Sequence, residues 1–152
     1  MTPILVFDIE TIPNVDSIRR LDNLPATLTD IEVAEHAFAA RRKKVDNDFL
    51  PHHLQHIAAI SCVFLDNTGF RVRSLGTTTD SEAVLIQSFF RVIEKYTPQL
   101  VSWNGGGFDL PVLHYRALVH GLTASRYWDL GNDDREFRYN TTSAVITRAT
   151  LT

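Results

Sequence analysis

Residues 3–10, Pro-Ile-Leu-Val-Phe-Asp-Ile-Glu, form a near-continuous apolar run that Thr11-Ile12-Pro13 closes. Such a run reads as a β-strand, and one this apolar belongs inside a sheet rather than at its edge. A central strand needs strands beside it and helices over it, so the rest of the chain must supply both.

It does so in a recognisable order. Residues 14–26 carry Pro25, several Asp and Asn, and no sustained periodicity, which predicts a loop. Thr29-Asp30-Ile31-Glu32 has capping-box spacing and predicts a helix from there to about Lys44. Its thin stripe, Ile31, Ala34 and Phe38, marks it as peripheral. Ile57 to Leu65 and Phe70 to Leu75 read as two strands of an antiparallel hairpin, with Asp66-Asn67-Thr68-Gly69 as the turn. Thr79-Asp80-Ser81-Glu82 repeats the capping-box spacing ahead of a broad apolar face: Leu85, Ile86, Phe89, Phe90, Ile93 and Tyr96. Leu100 to Trp103 is a short strand that breaks at Asn104-Gly105-Gly106-Gly107, and a helix follows from near Pro111 until Gly121 stops it. Strand, inserted helix, hairpin, helix, strand and helix together predict an α/β fold: one mixed sheet flanked by helices.

Asp8 and Glu10 stand two positions apart on the first strand, so their side chains share a face. Neighbouring carboxylates on a central strand repel and lose hydration unless protonated or bridged by a cation, and oxygen donors suit magnesium or manganese. Taken alone, Asp-x-Glu is more often a solvated strand end. Asp109 follows the glycines at a strand–helix junction. Its bland role is a helix N-cap; its chemical role is to reach the cation at Asp8, with the glycines letting Asn104 and the backbone approach a nucleotide. The loop lacks Gly-x-Gly-x-x-Gly spacing and so does not read as a dinucleotide site.

Together, Val6-Phe7-Asp8-Ile9-Glu10-Thr11 and Asn104-Gly105-Gly106-Gly107-Phe108-Asp109 resemble the first two motifs of the DEDD 3′–5′ exonuclease superfamily. The nearer resemblance is to bacterial exonucleases similar to the proofreading domain of family-B DNA polymerases, up to Asn140. It includes Leu50-Pro51 and Arg135-Glu136-Phe137-Arg138-Tyr139. The resemblance implies a ribonuclease-H-like fold and two divalent cations, Mg2+ or Mn2+. Asp8 would bridge the ions, Glu10 would ligate one and orient water, and Asp109 would hold the other. Thr11, Asn104 and Phe108 would line the groove for a single-stranded 3′ end of nucleic acid, read as DNA although the sequence does not distinguish DNA from RNA. Trp103 or Leu110 would pack near the terminal base; core packing is the alternative for Phe108 and the favoured one for Trp103. A non-catalytic nucleic-acid-binding module and a metal-dependent phosphatase are the competing readings.

The superfamily's third motif, Tyr-x-x-x-Asp in the polymerase-like group, does not follow Asp109. The later acids are Asp129, Asp133, Asp134 and Glu136. This predicts a domain over residues 1–140 that is incomplete at its C-terminus and inactive, with residues 141–152 an aberrant tail. Codons can be chosen for Asn140 to Thr152 whose other frame reads His-Tyr-Leu-Ser-Arg-Tyr-His-Ala-Arg-His-Thr-Asp, very like the related group's continuation. A one-base deletion near codon 141 would explain that, and the gene's nucleotide sequence decides it.

Other features exclude more than they propose. His52, His53 and His56 have no cysteine partner at structural-zinc spacing and read as a polar turn. His36, His114 and His120 read as helix-surface residues. Cys62 reads as a buried thiol with no neighbour to activate it. Arg41-Arg42-Lys43-Lys44 suits phosphates and the negative end of a helix equally. A net charge of −3, from 15 basic and 18 acidic residues, argues against coating long duplexes but not against holding a few nucleotides. No apolar run approaches a bilayer span, which together with the lone cysteine predicts a cytoplasmic protein without a membrane partner.

Overall fold

The structure, a computed structural model, describes residues 2–128. The acids from Asp129 onward, the Arg135–Tyr139 motif and the tail lie outside the described residues.

The first strand, β1 (Ile4–Pro13), is central as its composition requires. Beside it are β2 (Gln55–Asp66), β3 (Gly69–Ser74) and β4 (Gln99–Val101), in the sheet order β3-β2-β1-β4. β1 and β4 run parallel, with Leu5 opposite Leu100. β2 and β3 form the expected hairpin, in which Val63 faces Val72 and Leu65 faces Phe70. The sheet is therefore mixed and the fold α/β.

Burial along β1 alternates cleanly. Leu5, Phe7 and Ile9 are buried while Val6, Asp8 and Glu10 are exposed. The buried side joins Ile60, Cys62, Leu100 and three helices in one core: α3 (Glu82–Tyr96), α4 (Asp109–Val119) and α5 (Ser125–Trp128). Phe89 of α3 packs on Phe7 with ring centroids 4.9 Å apart, and Phe90 packs on Tyr127 at 5.4 Å. Cys62 is buried, which pushes its thiol pKa up although Arg73 pulls it down, as an inert thiol should behave.

Residues 11–56 form a second compact unit with its own small core of Ile18, Val33, Ala37 and Leu50. The segment read as a loop contains a short helix, α1 (Val15–Leu21). Asn14 caps it by accepting from the Ser17 N–H, and Arg19 reaches the Pro25 and Leu28 carbonyls and Asp30. So few residues cannot show a helical period, so periodicity missed it. α2 (Asp30–Val45) begins at the expected capping box, but its buried residues are Val33 and Ala37, and Ile31 is 81% exposed. Of the expected stripe, Phe38 packs half-buried against this core, while the buried positions fall one residue before Ala34 and Phe38. Arg42 pairs with Glu35 and Asp48, and Arg41 donates to the Phe49 carbonyl, so these two cations have local partners at the helix end.

The second expected capping box does not form. Ser81 is the cap of α3 and makes no side-chain bond, while Glu82 is turned inward. Among the described residues no helix is long and apolar enough to cross a membrane.

Candidate nuclease site

Asp8 and Glu10 project from the exposed face of β1, as their spacing requires. Asp109 is the first residue of α4 and is 3% exposed. Its side chain does not cap its own helix. Phe108 occupies the cap position without a side-chain bond, and Asp109 Oδ1 accepts from the backbone N–H of Ile9 at 3.3 Å. The N-cap role is thus replaced by a tie across about a hundred residues of chain, onto the residue between Asp8 and Glu10.

Burial raises the Asp109 pKa; bonds from Ser102 and the backbone pull it down, and the Asp8 charge pushes it up again. The Asp8 charge is the smallest of these influences on Asp109. Ser102 is also buried, and its hydroxyl has no hydrogen bond of good geometry among the described residues, although it stands near enough to Asp109 to favour the carboxylate.

The loop between β4 and α4 holds this arrangement by close packing. Asn104 adopts φ +58, the left-handed conformation that asparagine tolerates. Its carbonyl accepts from the N–H groups of Gly107 and Phe108, turning the chain into α4. A Cβ on Gly105 would meet Ser102 Cβ at 2.7 Å, and one on Gly107 would meet the Asn104 amide oxygen at 2.5 Å. These glycines make room for side chains of their own loop. Phe108 is half-buried and packs on the core, Asn104 is exposed, and Thr11 is half-buried. Leu110 is buried. Trp103, for which core packing is favoured by sequence, is 59% exposed. With Val6, Asp8, Val63 and Val72 it lines a shallow hollow on the open face of the sheet.

The donors are hard oxygens, which fit magnesium or manganese in kind. In placement they fit less well. Among the described residues no three of His, Cys, Asp and Glu stand close enough to hold a metal, so Asp8, Glu10 and Asp109 do not form the expected three-carboxylate cluster as placed. Asp109 Oδ1 is engaged by the Ile9 N–H.

Sequence reading missed a second set of buried polar residues. Glu82 Oε1 accepts from the Ile57 N–H at 2.7 Å and from Arg116 Nε at 2.8 Å, and Arg116 Nη2 donates to Oε2 at 2.6 Å. His120 Nε2 stands 2.7 Å from the same Oε2. His114 is half-buried, 2.6 Å from the Tyr127 hydroxyl, with its pKa lowered by burial. Neither histidine is a plain surface residue. An arginine one helical turn before a histidine, on the face that also carries Asp109, was the available signal.

Comparison with known proteins places these residues in context. A segment of DNA polymerase 1 from Sulfurisphaera ohwakuensis is 38% identical over 61 residues, 40% of this chain and 7% of that protein. The family B DNA polymerase structure from the hyperthermophilic archaeon Pyrobaculum calidifontis aligns with 82% of this chain and 12% of that one, at 16% identity and a TM-score of 0.48. The chain thus spans a small part of either polymerase's length. A family described as predicted 3′–5′ exonucleases related to the exonuclease domain of PolB matches residues 47–149. That span contains Asn104 to Asp109 but not Asp8 or Glu10, and it runs through most of the tail. On this match, which takes in more than half of its residues, the chain belongs to that family of PolB-related 3′–5′ exonucleases.

Proposed function

We propose that this chain carries the strand-end site of a 3′–5′ exonuclease, with Asp8, Glu10 and Asp109 as its acidic residues and single-stranded DNA as its substrate. The observation that supports it best is Asp109 abandoning the helix cap to bond the Ile9 N–H, between the two acids of β1.

Divalent magnesium or manganese, when bound, supplies charge neutralisation and an activated water for phosphodiester cleavage. The chain's own contribution is placement. Asp8 and Asp109 offer oxygens from two elements, and Glu10 extends the acidic edge along the same strand face. Trp103, exposed in the hollow that Asp8 also lines, offers an aromatic surface to a nucleotide, and the exposed Asn104 that follows it offers an amide. The Asp109 burial that disfavours its charge also makes it receptive to a cation.

A second reading has a specific observation in its favour. Because the three carboxylates do not form a metal-holding group among the described residues, the chain on its own binds strands without cutting them. End-labelled single strands with Mn2+ decide between the two. Stepwise shortening from the 3′ end, lost in Asp8→Ala, supports the enzyme. Retention of intact strands supports the binding module, and the absence of both shortening and retention rules out both readings.

A further inference from the structure

We propose that Glu82 and Arg116 are positioning residues: their buried ion pair holds α4 in the place that sets Asp109 beside β1. This rests on the site proposed above but concerns residues outside it.

Asp109 and Arg116 lie about two turns apart on α4, which puts them on one face of the helix. Each end of that face is tied to the sheet, and the ties differ in kind. At the site, Asp109 makes a long bond of 3.3 Å to the Ile9 N–H. At the far end, Arg116 makes two charge-assisted bonds of 2.8 and 2.6 Å to Glu82, whose Oε1 also accepts from Ile57 at the start of β2's buried stretch. Arg116 and Glu82 are 6% and 2% exposed at their side chains. The bidentate geometry fixes direction as well as distance.

The tie at the site is weak and is also opposed. Asp8 and Asp109 carry like charge, and burial of Asp109 favours moving it towards water. The loop resists that only through backbone bonds such as Leu110 N–H to the Gly105 carbonyl, and apolar packing of Leu110, Val112, Leu113 and Ala117 holds the helix without fixing its direction. The directional tie is the distant one, because α4 cannot slide or roll without pulling the Arg116 guanidinium off Glu82. Glu82 in turn is the first residue of α3 and is bonded to β2, so the reference frame is the sheet itself. His120, the residue that caps the end of α4, stands 2.7 Å from Glu82 and adds a contact at the same end.

The test is the double variant Glu82→Gln/Arg116→Met in the full chain. Removing both charges leaves no unpaired ion, and the glutamine carbonyl still accepts from Ile57, so the fold persists. Two readouts follow: the Ile9 amide resonance, which reports the Asp109 contact, and Mn2+ affinity by calorimetry. The proposal expects a shifted Ile9 amide and about tenfold weaker Mn2+ binding, the scale on which groups behind metal ligands act. Arg116→Lys, which keeps the charge but not the fork, serves if the double variant does not fold, and should fall between parent and double variant. A folded double variant with the parent's Ile9 amide and Mn2+ affinity overturns the proposal, as does a parental Ile9 amide in folded Arg116→Lys. A parent that binds no Mn2+ sinks the metal reading of the site instead, and the Ile9 amide still decides the positioning.

Discussion

Thr29-Asp30-Ile31-Glu32 and Thr79-Asp80-Ser81-Glu82 share a spacing, but the chain uses them differently. In the first, the Thr29 hydroxyl accepts from the Glu32 N–H, and Glu32 Oε2 accepts from the Thr29 N–H and hydroxyl. Both side chains are exposed, and no distant partner competes. In the second, Asp80 accepts from the Thr77 N–H and Glu82 leaves the turn to take Arg116 and Ile57 in the core. A capping box offers about 1 kcal/mol. A buried carboxylate with a guanidinium across from it is held far more strongly once formed, because leaving either partner alone is so costly. The same short motif is thus decided locally where the side chain stays in water, and by tertiary partners where it does not.

The largest effect tests that contrast directly. Arg116→Met alone should cost about 3–5 kcal/mol in urea unfolding, because Glu82 keeps its burial and loses its counter-charge. A loss below about 1 kcal/mol, the scale of an exposed pair, would show that Glu82 is not held by Arg116 in solution.

At the first turn the expected loss is smaller. Thr29→Ala should cost about 1 kcal/mol, confined to the α2 unit. The Thr29 bonds also hold the Glu32 pKa below its ordinary value. A depressed carboxylate stabilises above its unfolded pKa, and that contribution is lost as pH falls through the folded value. An acid titration followed by circular dichroism should show this step in the parent and not in Thr29→Ala. Equal acid sensitivity of the two would count against the capping box.

The same contrast explains what the sequence made legible. The centrality of β1, the hairpin, the α3 face and the paired placement of Asp8 and Glu10 follow from side-chain period and apolar content, which belong to the residues themselves. The sheet and its helices were therefore readable, and the bounds of elements shifted by only a few residues. Glu82, His114 and His120 were misread and Arg116 was passed over, because their roles depend on partners in other elements. α1 was missed because its cap and Arg19 contacts stabilise it without a visible period. Asp109 shows both sides: its motif pointed to the site, but local statistics offered only a cap. Nothing in its neighbourhood along the chain says that its oxygen goes to Ile9.

A glycine at the loop gives an intermediate test. Gly105→Ala places a methyl 2.7 Å from Ser102 Cβ, against a residue that is buried. Overpacking of this kind costs about 1–3 kcal/mol. Strand binding should weaken as well, since Ser102 and Asp109 share that corner. Unchanged stability would mean that the loop yields more easily than its packing suggests.

The smallest expected effect has the opposite sign. Asp109→Asn should stabilise the fold by about 0.5–1 kcal/mol at neutral pH while abolishing Mn2+ binding. The amide oxygen still accepts from the Ile9 N–H, whereas the buried charge and its repulsion from Asp8 are gone. The parent's pH dependence supplies the check. Burial is the largest influence on the Asp109 pKa, and it is raised. For an acid this means that the native state prefers the protonated form, so ionisation of Asp109 destabilises the fold at neutral pH. That cost shrinks as pH falls through the folded pKa and is absent below the unfolded one. The stability difference between Asp109→Asn and the parent should therefore be greatest near neutrality and close over the mildly acidic range. A difference that stays constant with pH would show that the gain comes from packing rather than charge. Asp109 would then be an ordinary joint between α4 and β1, with no strained carboxylate waiting for a cation.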